Sequence, residues 1–315
     1  MVDKNNELKK QSNDMRAEEQ EADLRDVLGM IWRGKWIVMF SAAVFAVLSV
    51  IVALSLPNIY QSEVTLAPTE EASGGGMAQM AGQLGGLASL AGVNLGQQQA
   101  DKTTMALEIL KSRAFITDFV ERHEILPELM AAESWSPSNG LEYNAELYDA
   151  ESRSWKTKDG KSLKPTSWQF VKSFRKQHLT VTRADDSGLV FVAINHLSPV
   201  VAQHWAKWLV EDINKTMRTR DIEEAERSLE YLNNELQRTS LSNMQQVFYQ
   251  LIEKQTQTIM LANVRPEYIF QVIDPAVIPE QKAKPSRALI CIVGTFLGGL
   301  MGLLIVFIRQ AVRLK

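Results

Sequence analysis

The side chains able to do chemistry are few and scattered. The histidines are His123, His178, His196 and His204, and no two stand four apart, the spacing that sets a pair of imidazoles around zinc on one helix face. His123-Glu124 is followed by Ile-Leu-Pro, which is not a zinc-protease helix. His196 and His204 flank a helix start eight residues apart and share no ligand face. Cys291 is the single cysteine and lies in an apolar run. That excludes an internal disulfide framework and any zinc site built from several thiolates. Neither a G-x-S-x-G nucleophile elbow nor a G-x-G-x-x-G dinucleotide turn occurs. Asp185 and Asp186 invite acid–base work, but residues 184–188 (ADDSG) separate two strand-like runs, where Asp serves turn geometry. Scattered carboxylates can still meet in three dimensions. The expectation is a chain with no catalytic residue, no cofactor site and no metal site.

Binding chemistry is also thin. Residues 73–96 hold eight of the 17 glycines. A phosphate-cradling loop needs Lys just after its last Gly, and no Lys or Arg occurs from 57 to 101. Met77, Met80, Leu84, Leu87 and Leu90 set the stretch apart from a solvated linker. It reads as an apolar loop that packs on neighbours or on the membrane surface. The net charge of −3, with no clustered basic face, gives no reason to expect nucleic acid. Trp135, Trp155 and Trp168 lie among turn residues, and packing of a small satellite core is preferred over stacking on sugar rings. Asn214-Lys-Thr216 fits a glycosylation acceptor but falls inside a helical run and is discounted.

Two apolar runs decide what positions these residues. Residues 36–56 (WIVMFSAAVFAVLSVIVALSL) and 288–308 (ALICIVGTFLGGLMGLLIVFI) are each 21 residues without a charge. Helices of that length reach about 30 Å, the thickness of a bilayer core. The first run is preceded by 35 largely polar residues, so it is not a cleaved signal peptide. Arg25, Arg33 and Lys35 precede it and no cation follows until Lys102, which puts the N-terminus in the cytoplasm. Cations flank both sides of the second run, so the first decides the orientation. The expected order is a cytoplasmic arm (1–35), a span (36–56), a periplasmic domain (57–287), a span (288–308) and a cytoplasmic tail (309–315). Arm and tail are expected to be too short for an output domain.

Within this frame, residues 23–35 place Leu24, Val27, Leu28 and Ile31 at helical spacing, with Trp32 and Trp36 at interface level. Residues 60–67 alternate as a strand, residues 106–120 fit one helix, and residues 177–195 read as a hairpin. Ser198-Pro199 opens a long helix, about 199–238, that would reach about 60 Å. No Pro or Gly interrupts residues 200–265, and a break is placed at 239–243, before a second helix at 244–261 and a strand at 268–273. Ala225, Leu229, Leu232 and Leu236 form a narrow apolar seam beside a charge run with Glu223–Arg227 at i,i+4. Such a seam calls for another copy, so Glu223, Glu224, Arg227, Leu229, Leu232 and Leu236 are interface candidates. Pro275, Pro279 and Pro285 in the segment 275–285, with Arg287, form a stiff extended motif ahead of the second span. Gly298 and Gly302 stand four apart as a close-packing face, either for the first span or for a second protein.

Taken in order, DLRDVLGMIWRGKW, YQSEVTLAPT, GGLASLAG, ALEILKSRAF, HLSPVVAQHWAKWLVEDIN and FQVIDPAVIPEQKAKPSRA resemble the polysaccharide co-polymerases, the chain-length determinant (Wzz-like) proteins of the bacterial inner membrane. The likeness covers residues 22–310, and with no kinase after the second span the chain looks like the kinase-free, two-span type. The resemblance implies an α+β membrane protein in which two transmembrane helices flank a periplasmic α/β base domain with a long protruding helix. It implies a non-enzymatic regulator of the length of an O-antigen-like, lipid-linked glycan. It further implies a homo-oligomeric ring working with a separate membrane polymerase, in contact with the bilayer and with lipid-linked polysaccharide. The rival readings are a two-span periplasmic sensor or adaptor of envelope polysaccharide export and a membrane-tethered glycan hydrolase. The first is weakened by the expected lack of an output domain, the second by the lack of a recognisable site.

Overall fold

The computed structural model describes residue 32 and residues 34–69, 100–238 and 242–313. The helix expected at 23–35 and the Gly-rich loop at 73–96 lie almost wholly, or wholly, outside the described residues. The chain divides into two compact units, Met1–Asn58 with Lys284–Lys315, and Ile59–Ala283.

The first unit is a pair of helices, α1 (Lys35–Ser55) and, at the far end of the chain, α8 (Arg287–Arg313). Both are long and apolar enough to cross a membrane. Their large side chains point outward: Phe40, Ile51, Ile292 and Phe296 are all more than half exposed. A core helix of a water-soluble protein would hide these groups, whereas lipid accepts them. The contact between the helices is made of small residues. Gly302 lies against Val38 and Ser41, Gly298 against Ala42 and Phe45, and Gly294 against Ser49, so the numbering falls on one helix as it rises on the other. The pair is therefore antiparallel, and Ser41 Oγ donates to Gly298 O across it at 2.8 Å. Of the two partners considered for the Gly298–Gly302 face, the one that occupies it is the first span.

The second unit is built on a sheet of β1 (Ile59–Pro68), β8 (Leu179–Arg183), β9 (Val190–His196) and β10 (Phe270–Asp274), antiparallel neighbours in the order β10-β1-β9-β8; a short strand, β11 (Lys282–Lys284), also pairs with β1. Alternation fixes which face is wet. Val64, Leu66, Val190, Val192 and Ile194 turn inward, while Glu63, Thr180 and Thr182 stay exposed. The turn between β8 and β9 uses Asp186, whose carboxylate accepts from Ser187 N, and Gly188 at φ +69°.

Helices cover the inner face. Residues 106–120 do not form one helix. Ser112 breaks the run into α2 (Ala100–Leu110) and α3 (Arg113–Arg122) because its hydroxyl caps α3, accepting from Phe115 N at 3.2 Å. A short α4 (Leu126–Met130) follows. Three small hairpins follow, β2 (Ala132–Ser136) with β3 (Gly140–Tyr143), β4 (Tyr148–Asp149) with β5 (Ser154–Trp155) and β6 (Thr157–Lys158) with β7 (Lys161–Ser162), and α5 (Ser167–Ser173) leads through one π turn (Phe174–His178) into β8. The 40-residue α6 (Pro199–Arg238) lays its first half on the sheet, where Trp205, Leu209 and Ile213 are fully buried. α7 (Ser242–Val264) packs back along α6. The seam that called for another copy is thus partly closed within the chain: Leu232 is buried and Leu229 and Leu236 are half-buried. β10 runs Phe270–Asp274 rather than over residues 268–273.

Glycine is required where the two helices of the first unit touch. A Cβ on Gly302 would come within 2.7 Å of Val38 Cα, and one on Gly298 within 2.5 Å of Phe45 Cβ, while one on Gly299 meets open space. The pair Gly298→Ala and Gly302→Ala should each cost about 1–3 kcal/mol by overpacking. Gly299→Ala should be neutral or slightly stabilising. Thermal melts of the detergent-solubilised full-length protein read the difference, and equal melting of all three variants would contradict this packing.

Candidate functional site

Most of the side chains that could do chemistry are tied up in holding α6 in place. His123, just past α3, brings Nε2 within 2.9 Å of Asp212 Oδ2 on α6. Asp212 Oδ1 accepts from Arg122 Nη1 at 2.9 Å, and Arg122 also pairs with Asp118. The flat face of His123 lies on Trp208, centroids 4.5 Å apart and planes 4° apart, and His204 stacks on the same indole. A carboxylate–imidazole pair is part of a nucleophilic triad. Here the carboxylate is buried and shared with an arginine, so it locks α3 to α6.

Two further histidines form a core cluster around Trp205. His196 Nδ1 accepts from Ser198 N at 3.0 Å, which leaves Nε2 to donate to Glu128 O at 3.1 Å. His178 Nδ1 donates to Asn195 O at 2.8 Å. The two rings lie 5.7 Å apart, and Trp205 is within 6 Å of both. Burial pulls each imidazole from its ordinary 6.5 down to about 4, so both fold neutral. The Glu128 carboxyl, which accepts from Trp205 Nε1 at 3.3 Å, is pushed up by burial.

Farther along α6, Asn214 bonds the chain just before and at the start of β10. Its Oδ1 accepts from Ile269 N at 2.8 Å and Phe270 N at 3.0 Å, and its Nδ2 donates to Phe270 O at 3.0 Å. Asp221 receives Lys102 Nζ and the Tyr268 hydroxyl, both at 2.7 Å. Asp212, Asn214 and Asp221 were not singled out as anchors from the sequence. Their only signal was a polar residue inside an apolar helical face, which spacing alone does not separate from a solvated one. Asn214 as a glycan acceptor is ruled out by its burial.

The other candidates are spread along the unit. Asp185 and Asp186 are exposed in their turn. Trp135 packs edge-on against Tyr60 and Trp155 against Tyr148, whereas Trp168 is 65% exposed with Lys172 over its ring. Among the described residues, no group of three or more His, Cys, Asp or Glu converges as a metal would need. Glu223, Glu224 and Arg227 are exposed, with the Glu223–Arg227 pair at 3.9 Å. An open groove between α6 and α7 is lined by Glu224, Arg227, Tyr231, Leu232, Leu251 and Gln255. Pro275 is exposed, and Pro279 and Pro285 are half-buried. Arg287 donates to Asn58 Oδ1 at 3.0 Å where the two helices of the first unit begin and end.

In chain order a mixed helix–sheet unit, with one helix that outruns its sheet, comes between two membrane-length helices. The family comparison says which class that is. A model described as "Chain length determinant protein" (Wzz) matches residues 20–123, and one described as "G-rich domain on putative tyrosine kinase" (GNVR) matches residues 230–311. The resemblance read from the sequence therefore holds: the chain carries a Wzz chain length determinant domain, on a two-span inner-membrane frame. No curated relative matches the chain. Among solved structures, a full-length bacterial polysaccharide co-polymerase aligns at 14% identity over 91% of this chain and 97% of its own, TM-score 0.36. A fragment of WzzB, a polysaccharide co-polymerase from Salmonella Typhimurium, aligns at 10% identity over 72% and 100%, TM-score 0.28.

Two outcomes test the anchors. Asn214→Ala leaves two N–H groups and one C=O unpaired in the interior and should cost about 2–4 kcal/mol, while Asn233→Ala on the exposed side of the same helix should cost little; urea or thermal melts compare them. The histidine pair predicts acid sensitivity of a definite sign. The unfolded chain binds protons below about 6.5 and the folded chain only near about 4, so stability is full above 6.5 and is lost as pH falls toward 4. Melting temperature should fall between pH 7 and pH 5, and His178→Gln with His196→Gln should flatten that slope. An unchanged slope would place the acid sensitivity elsewhere.

Proposed function

We propose that this protein sets the length of an O-antigen-like, lipid-linked polysaccharide without catalysing its synthesis, as a homo-oligomeric co-polymerase beside a separate membrane polymerase. The observation that carries the reading is the chain length determinant match over residues 20–123, which runs from before the first span, through β1, to just past the end of α3. Residues 57–287 are the periplasmic domain in this reading, between spans at 36–56 and 288–308. Both termini are cytoplasmic, as Arg25, Arg33 and Lys35 before the first span favour. The absence of catalysis is argued from how the chemical groups are used: His123, His178, His196, Asp212 and Asp221 each hold elements together.

The homo-oligomer is supported by surface left over in the second unit. Met244, Val247 and Leu251 follow one another at 3 and 4 residues along α7 and are 45%, 48% and 40% exposed. Tyr231, 64% exposed, stands across the groove from Leu251. In this reading the interface takes Glu223, Glu224, Arg227 and the half-buried Leu229 and Leu236 together with these four apolar residues, while Leu232 is already buried within the chain. Contact with glycan and with the polymerase belongs to the same proposal.

Deletion of the gene in its host, followed by gel analysis of surface polysaccharide, tests the function. Polymer should still be made, with its length distribution changed, and the full-length gene should restore it. Loss of all polymer, or an unaltered distribution, refutes the reading. Light scattering of the detergent-solubilised protein tests the assembly separately: a monomer at micromolar concentration refutes the homo-oligomer, and Tyr231→Asp with Leu251→Asp should weaken a true one.

A further inference from the structure

The segment between β10 and the second span presents an apolar pair that its own unit does not cover. It is pinned from behind at two points: Gln203 Nε2 donates to Ala276 O at 3.3 Å, and the buried Ser62 hydroxyl donates to Val277 O at 2.7 Å. Ala276 packs against the core. The next two side chains turn away from it, Val277 being 65% and Ile278 53% exposed. Pinned backbone with exposed β-branched side chains is a presented surface and not a loose loop.

What covers the pair is limited by how short its tethers are. Ser62 follows the last residue of α1, Ser55, by seven residues, and at full extension that is about 24 Å. Ile278 precedes the first residue of α8, Arg287, by nine residues, at most about 31 Å. Both limits run to membrane-level helix ends, so the pair is held within reach of the lipid headgroups from two sides. The charges following it are of the sign that such a surface attracts. Glu280 is the single acid from 279 to 287, against Lys282, Lys284 and Arg287, and both lysines are exposed. An apolar contact flanked by cations suits an interface that offers acyl chains below and phosphates above.

We propose that Val277 and Ile278 insert at the acyl–headgroup boundary of the bilayer, with Lys282 and Lys284 on anionic phosphates, so that the segment after β10 is a membrane-surface contact of the second unit. This goes beyond the chain-length reading and depends only on the two spans. The stiffness expected of Pro275, Pro279 and Pro285 then has a use, since a fixed backbone keeps the pair aimed at the lipid.

Nitroxide labels at Val277→Cys and Ile278→Cys, in a Cys291→Ser full-length chain, test it in vesicles of phosphatidylethanolamine and phosphatidylglycerol. Relaxation by oxygen should exceed that by a water-soluble nickel chelate by about twofold or more, as for a lipid-facing site. A label at Lys158→Cys, exposed in a hairpin, should show the reverse. Lys282→Glu with Lys284→Glu should bring the two accessibilities at 278 together. High access to both relaxants at 277 and 278 would mean a solvated loop and overturn the proposal. Low access to both would mean a protein contact, such as a second copy, and overturn it equally. If the labels disturb the fold, Ile278→Trp gives a second reading. Its added fluorescence should be quenched by lipid brominated near the headgroup end of the chain, and lack of quenching would refute insertion. None of these outcomes depends on glycan length.

Discussion

The structure depends on laying an unbroken 40-residue helix against a sheet that can bury only half of it. In the first half of α6, Ala202, Trp205, Leu209, Ile213 and Met217 recur at 3 and 4 residues and are almost fully buried, opposite Val64, Leu66, Val192 and Ile194. Closing that interface removes several large apolar side chains from water, at about 1.5–3 kcal/mol each. The helix cannot bend back when the sheet ends, because nothing in it breaks the backbone ladder before residue 238. Its second half is therefore left to whatever follows in the chain, and α7 takes that place.

Burial by itself is not directional, and a greasy helix on a greasy sheet could slide by a turn. The polar anchors remove that freedom. Asp212, Asn214 and Asp221 bond the end of α3, the backbone at 269–270, and the pair Lys102 and Tyr268 respectively. A slip of one residue would leave each of them buried and unpaired, which is costly for an amide and more so for a carboxylate. The same argument explains why these groups make poor catalysts. A carboxylate already committed to an arginine and a histidine has little capacity left for a substrate proton, and two imidazoles folded neutral among aromatic rings are out of reach of one.

Much of the fold was legible because two periods dominate. The alternation in 60–67 and 179–195, and the uninterrupted helical run after Pro199, have single readings. The break at Ser112 was hidden because Leu110 and Ile116 keep the apolar rhythm going on both sides of it; a serine cap competes with continuation only through one local hydrogen bond. The seam at Leu229, Leu232 and Leu236 needs cover, but a sequence does not say whose, and α7 supplies part of it from the same chain. Least legible were the site residues. Asn214 carries a glycosylation pattern and does something unrelated to it, and the His123–Asp212 contact joins residues 89 apart in the chain.

Exposed apolar groups have opposite meanings in the two units, and that difference supports assembly. Phe40, Ile51, Ile292 and Phe296 belong to helices whose surroundings are acyl chains, so their exposure costs nothing and only the small-residue seam between the helices has to fit. α7 lies in the other unit, where no helix among the described residues has that length and hydropathy. There Tyr231, Val247 and Leu251 face water unless protein covers them. A few scattered apolar side chains on a soluble surface need no explanation. A stripe at 3 and 4 residues beside an exposed tyrosine, on a hairpin already carrying charges of both signs, is the pattern by which helices recognise further helices. The chain itself supplies both helices of that pair, and the stripe they leave open is the surface that the proposed assembly uses.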